Sequence, residues 1–170
     1  MAFERSAPLS RETLSFTEAV RRAIASCRQT DEAVCVACLG VRNVGRATDL
    51  IGAPAVDSIV VALHELLLKA LRGGDTVERL EGARFGFVLH GCEADILEIV
   101  GRRLATQILR VTTASAHPEA ELGTSLGIAF FGDSQPTNDQ EGVELTMREA
   151  ERALSEALAE GTGRVVIKSF

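Results

Sequence analysis

Cys35 and Cys38 stand three positions apart, a spacing that serves either as half of a zinc site or as a redox couple. No second pair follows at zinc-ribbon spacing, since Cys27 and Cys92 are isolated. The surrounding run, Ala33-Val34-Cys35-Val36-Ala37-Cys38-Leu39, has the composition of a buried strand, and residues three apart on a strand point to opposite faces. Both thiols are therefore assigned to the core. His64-Glu65 begins the zinc-protease pattern His-Glu-x-x-His, but Leu68 stands where the second histidine belongs. His90 and Cys92 bracket a glycine with no third ligand in view, and Ser125 has no His-Asp partners, so it reads as a strand residue. Gly161-x-Gly163 lacks the preceding strand and following helix of a phosphate loop.

The cations are more telling. Sixteen of the 18 basic residues are arginine, which favours planar, bidentate recognition of anions. With 24 acidic residues the net charge is −6, so no long-range attraction draws this chain to nucleic acid or an anionic membrane surface. Trp and Tyr are absent, which weakens any stacking platform for single strands. Met1 to Ser10 has no apolar run of the signal-peptide kind. The longest apolar block, Ile59 to Leu71, is broken by His64, Glu65 and Lys69. A cytoplasmic location with free thiols is the expectation, as are no nucleic-acid partner and no membrane insertion.

The elements that must position these groups follow from periodicity. Ser10 is expected to cap a helix reaching about Gln29, with Leu14, Ala19, Val20, Ala23 and Ile24 on one face. A strand follows from Ala33 to Val41, and then an irregular glycine-bearing loop from Arg42 to Ala53. Pro54 fits the first turn of a helix that Gly73-Gly74 ends. Thr76 to Leu80 and Phe85 to Leu89 form a hairpin around Glu81-Gly82-Ala83-Arg84. A helix from about Glu93 to Arg110, a strand from Gly123 to Phe131, a loop from Gly132 to Gly142, a helix from Val143 to Glu160 and a strand from Arg164 to Lys168 complete the chain. Helices alternate with strands, but the hairpin interrupts the order, which predicts a mixed-sheet α/β fold. The 170 residues, 46% apolar, are expected to form one domain, 1–170, with an N-terminal helix at about 10–29 and a core at about 33–170.

This order resembles the GGDEF domain of bacterial diguanylate cyclases. Arg72-Gly73-Gly74-Asp75 followed by Val77-Glu78-Arg79-Leu80 is similar to the approach R-x-x-D-x-x-x-R-[YF] to that family's signature. Ser125-Leu126-Gly127-Ile128-Ala129 resembles S-[IV]-G-[IV]-A, and Ala150 to Val165 aligns without a gap on A-D-x-A-L-Y-x-A-K-x-x-G-R-N-R-V. Asp49-Leu50-Ile51-Gly52 and Asp57 fit N-D-x-x-G-H-x-x-G-D loosely. The resemblance implies a nucleotide-cyclase-like central sheet with flanking helices.

It also implies a damaged active site. Where the family has Gly-Gly-Asp-Glu-Phe, this chain has Glu81-Gly82-Ala83-Arg84-Phe85. Cyclase chemistry joins two GTP molecules and requires a divalent metal held by carboxylate oxygens. The resemblance places those ligands at Gly40 and Arg84, the phosphate-holding cations at Gly45, Leu158 and Thr162, and the guanine readers at Thr48 and Asp57; only Asp57 keeps its type. A catalytically inactive domain with no magnesium and no other cofactor is expected, and Arg84 is expected as an exposed hairpin-turn side chain.

A second site of the family, for product inhibition, uses the Arg and Asp of R-x-x-D with an Arg on the following helix. Arg72, Asp75 and Arg103 hold that register. The pattern also occurs at Arg28 to Asp31 and at Arg46 to Asp49, so only the register before the hairpin distinguishes the third. A guanidinium meets guanine O6 and N7 bidentately, a carboxylate complements N1 and N2, and a second guanidinium neutralises phosphate or stacks on a base. The implied ligand is cyclic di-GMP, with signalling through a homodimer or a protein partner. The alternatives are a nucleotide-independent interaction or dimerisation module, in which Arg72 and Asp75 pair locally at a helix end, and a residual nucleotide-binding or weak cyclase activity.

Overall fold

A computed structural model describes residues 15–91, 93–113, 117–130 and 138–169. Five strands form one sheet in the order β2-β3-β1-β4-β5, comprising β1 (Val34–Arg42), β2 (Thr76–Leu80), β3 (Arg84–His90), β4 (Gly123–Phe130) and β5 (Val165–Ser169). Among the described residues β4 and β5 run parallel and the other pairs are antiparallel. The sheet is mixed, as the interrupted alternation of elements predicts.

Helices cover both faces: α1 (Phe16–Thr30) and α5 (Asp139–Glu160) on one, α2 (Val44–Ile51), α3 (Ala53–Ala70) and α4 (Ala94–Thr113) on the other. The central strand β1 is buried from Val34 to Gly40, and its side chains divide by parity. Val34, Val36 and Cys38 join the core under α1 and α5, while Cys35, Ala37 and Leu39 join the core under α2, α3 and α4. Cys35 and Cys38 thus lie on opposite faces, as strand geometry requires.

Two glycines let helices approach the sheet. A Cβ on Gly127 would lie 2.1 Å from the backbone nitrogen of Leu154, so α5 rests directly on the β4 main chain. A Cβ on Gly86 would fall 2.6 Å from the ring of Phe16, which fills the space over β3 with the first residue of α1.

Several boundaries differ from the sequence reading. The expected loop from Arg42 to Ala53 contains α2. Ala47 of this helix is fully buried and Val44 and Ile51 pack on the same core, a spacing of three and four obscured by Gly45 within the helix and Gly52 after it. Helix α1 begins at Phe16 with Ser15 at its N-cap, accepting from the Glu18 amide at 3.4 Å; Ser10, the expected cap, lies outside the described residues. Helix α5 starts at Asp139, four residues before Val143, because Asn138 Oδ1 caps the Glu141 amide at 2.8 Å and Gly142 is buried inside the first turn. Helix α4 runs three residues past Arg110, and β3 begins at Arg84. A short 3-10 turn, Pro118–Ala120, follows His117. Phe131, Cys92 and most of the loop from Gly132 to Gly142 lie outside the described residues. Among the described residues no helix is long and apolar enough to cross a membrane.

Candidate functional site

The hairpin of β2 and β3 turns through Gly82 (φ 70°) and Ala83 (φ 56°), and the Ala83 carbonyl accepts from the Val41 amide at 3.2 Å, which ties the turn to the end of β1. This brings Gly40 and Arg84 together as direct cross-strand partners. Gly40 offers no side-chain oxygen. Arg84 is the first residue of β3 rather than part of the turn, on the face that α5 covers; its side chain is 42% exposed and its Nη2 lies 3.9 Å from Glu151 Oε1. The pair does not suit a divalent cation, since one member has no donor and the other carries positive charge. Among the described residues no group of three His, Cys, Asp or Glu is placed to hold a metal.

A cavity of about 320 Å³ opens beside Arg84, floored by Phe16, Cys38, Leu80 and Met147 and rimmed by Glu78 and Glu81. Burial, aided by the Glu151 carboxylate and partly opposed by Arg84, pushes the Cys38 thiol up from 9.0 to about 12. It is therefore an inert core thiol and not a nucleophile at neutral pH. On the other face, Phe85 is fully buried and stacks on His64 with ring centroids 5.7 Å apart.

The three Arg-x-x-Asp patterns differ in space. Arg28 reaches across to Asp139 at 2.6 Å, joining the end of α1 to the start of α5. Arg46 faces Glu121 at 3.3 Å. The third is a closed turn. Asp75 Oδ2 accepts from the Arg72 amide at 3.1 Å, the Asp75 amide donates to the Arg72 carbonyl at 3.0 Å, and Asp75 Oδ1 accepts from the His90 amide at 3.0 Å. Asp75 thus bonds the Arg72 backbone and not its guanidinium. The Arg72 side chain is exposed, as is that of Arg103 on α4, and neither forms an ion pair among the described residues. Arg103 lies one turn before Gln107 on α4, and Gln107 and Arg110 form one wall of a groove of about 610 Å³ whose other wall is α3, from Ala62 to Ala70. Arg72 comes two residues after Ala70. The two guanidinium-bearing segments therefore adjoin the two walls of one groove.

The family model described as "Diguanylate cyclase, GGDEF domain" matches residues 12–164. The chain belongs to the GGDEF domain family. Solved structures agree in fold. The GGDEF domain of TpbB (YfiN) from Pseudomonas aeruginosa is 20% identical, with a TM-score of 0.73 over 89% of this chain and 86% of that one. The coiled coil and GGDEF domain of DgcB from Caulobacter crescentus, solved in complex with c-di-GMP, is 18% identical, with a TM-score of 0.74 over 90% of this chain and 78% of that one. The diguanylate cyclase SiaD from Pseudomonas aeruginosa, in complex with its activator SiaC, is 20% identical, with a TM-score of 0.75 over 89% of this chain and 56% of that one.

In this GGDEF domain the remaining positions singled out by the sequence are mostly engaged elsewhere. The Thr48 hydroxyl donates to the Val44 carbonyl at 2.8 Å within α2. Asp57 is held by Arg79 of β2 at 2.9 Å. Leu158 packs on Gly40, its carbonyl accepting from Arg42 Nη1, and Thr162 abuts Gly123. Gly45 has nothing within 4 Å of where a Cβ would be. Besides Arg84, a second guanidinium at this end of the sheet belongs to Arg42, which the sequence reading passed over; a strand whose apolar run ends on arginine was the available signal. Ser125 Oγ donates to the Gly161 carbonyl at 2.7 Å, a structural bond that suits its reading as a strand residue.

Proposed function

We propose that this GGDEF domain acts as a receptor for cyclic di-GMP and not as a diguanylate cyclase, with Arg72 and Arg103 as its ligand-binding cations. The observation that carries this reading is the contrast among the three Arg-x-x-Asp patterns. Arg28 and Arg46 are matched by carboxylates, whereas Arg72 is exposed without one. A planar guanidinium left open to solvent is suited to a guanine O6/N7 edge or to phosphate. The c-di-GMP complex of the DgcB relative supports the same ligand class. A silent active site is supported by the residues at its centre: Gly40 has no donor, Arg84 has the sign of the metal, and Gly45, Leu158 and Thr162 carry no charge to hold a triphosphate. Ligand binding would act through association with a second copy or a partner protein, because a ligand with two guanines and two phosphates presents recognisable edges to both.

The test is calorimetric titration of the folded domain with cyclic di-GMP, with GTP plus magnesium in parallel. Binding at micromolar concentration or tighter, abolished in Arg72→Ala, is expected. Unaltered binding by Arg72→Ala would overturn the site.

A second reading, an association module that needs no nucleotide, is favoured by Ile96 and Ile99, which are 40% and 68% exposed on α4. It predicts no heat from either ligand and a concentration-dependent mass in solution.

A further inference from the structure

We infer that the outer edge of β5 is a self-association surface, on which a second copy of this chain pairs β5 with β5 in antiparallel register and joins the two sheets into one. β5 ends the sheet, and among the described residues no strand lies beyond it. Its parallel ladder with β4 uses alternate residues: the Arg164 carbonyl accepts from the Leu126 amide at 2.9 Å, and the same parity turns the backbone of Val166 and Lys168 toward β4. The amides and carbonyls of Val165, Ile167 and Ser169 therefore point outward. Burial falls off accordingly: β4 is buried from Gly123 to Ala129, whereas Val165 to Lys168 are only half-buried.

Sheet edges are ordinarily protected by charge, proline or a bulge. The other edge, β2, has Glu78 and Arg79 in its middle. β5 has a Val-Val-Ile run of strong strand formers and no proline. Its one charged side chain, Lys168, is drawn onto α5, where Nζ lies 2.6 Å from Glu156 Oε2.

The occupant follows from symmetry. The outward residues are spaced evenly about Ile167. A two-fold axis there pairs Ile167 with the partner's Ile167 and Val165 with the partner's Ser169, and each pair can exchange both of its N–H···O bonds. In this register Lys168 faces the partner's Val166. Pairing centred on Val166 would instead set Arg164 against the partner's Lys168, like charge on like. The groove of about 520 Å³ along this edge carries Glu98, Arg102, Glu160 and Arg164, two of each sign. The flank therefore adds no net repulsion, although the chain as a whole is at −6.

The surface needs no nucleotide, and Val166 supplies its test because it is half-buried and joins neither core. Sedimentation of the nucleotide-free chain, in a series reaching about 1 mM, is expected to show a monomer–dimer equilibrium. Val166→Lys sets like charges opposite each other at both ends of the pairing and should raise the dissociation constant about tenfold. Val166→Glu sets opposite charges there and should not raise it. Hydrogen exchange on the unaltered chain gives a readout independent of any variant's folding. The amides of Val165, Ile167 and Ser169 should gain protection with concentration, while those of Val166 and Lys168 are protected throughout. A monomer at every concentration, or a dimer that leaves the three outward amides unprotected, would overturn the inference. Equal dissociation constants for Val166→Lys and Val166→Glu would overturn it too, as would loss of the dimer in Ile99→Ser alone, which moves association to α4. Cyclic di-GMP binding can stand or fall without changing any of these outcomes.

Discussion

Gly40 and Arg84 face each other across the β1–β3 ladder, and a Cβ on Gly40 would make ordinary contact with Leu154 at 3.4 Å. The backbone therefore has room for a Cβ here, and the chain supplies no side-chain donor opposite Arg84. Incubation of the domain with GTP and magnesium or manganese should give no cyclic di-GMP by nucleotide chromatography. Gly40→Asp combined with Arg84→Glu should also give none, because the uncharged Gly45, Leu158 and Thr162 would still fail to hold a triphosphate. Turnover by the unaltered domain would overturn the reading as a silent cyclase.

Arginine substitutions should sort by partner. Arg46 pairs with Glu121 where both side chains are 63% exposed, a geometry that contributes little to stability. Arg46→Ala should therefore leave both thermal stability and cyclic di-GMP affinity essentially unchanged. Arg103→Ala should weaken the affinity at least tenfold with no loss of stability. Equal affinities for the two variants would remove Arg103 from the site.

Gly127→Ala should be among the most damaging single changes. Its Cβ would sit 2.1 Å from the Leu154 nitrogen and 2.6 Å from the Ala153 carbonyl carbon, and backbone atoms cannot rotate away. A loss of about 3 kcal/mol, the upper end for overpacking, is expected from urea unfolding. Gly45→Ala, in open space, is the matched control.

Cys38 should make the fold sensitive to alkali. The folded thiol is pushed up to about 12 from an ordinary 9.0. Below pH 9 it is protonated in both states and its full contribution is present. Between pH 9 and 12 the unfolded chain releases a proton that the folded one retains, so stability falls as pH rises, on the order of 1 kcal/mol per pH unit. The stability gap between the wild-type domain and Cys38→Ala should shift by that amount between pH 10 and pH 11, in favour of the alanine variant. A constant gap would mean the thiol is not buried as described.

Much of this architecture was legible because it is written locally. The hairpin reads directly from Thr76–Leu80 and the turn at Glu81-Gly82-Ala83, and the placement of Cys35 and Cys38 on opposite faces follows from the period of a strand. Helix α2 was hidden because its buried side is only Val44, Ala47 and Ile51, and Gly45 within it and Gly52 after it signal a loop. The partners that define the candidate site are not local. His90 is 15 residues from Asp75, Asp139 is 111 from Arg28, and Leu158 is 116 from Arg42, so no window of sequence announces these bonds. The register before the hairpin singled out Arg72 and Asp75. Only the folded chain shows that the carboxylate bonds backbone while the guanidinium stays open.

The contact at Gly127 has a mechanical consequence. Side chains between a helix and a sheet act as cushions, because they can change rotamer and absorb a displacement; main chain pressed on main chain cannot. Helix α5 and strand β4 must therefore travel as one stiff plate. The Ser125–Gly161 bond and the 2.7 Å bond from the Gly163 amide to the Thr124 carbonyl clamp the turn into β5 onto the same plate. A displacement of α5 at this contact is passed straight to the β4 main chain, whereas α3 and α4 bear on the sheet through a layer of leucine and isoleucine.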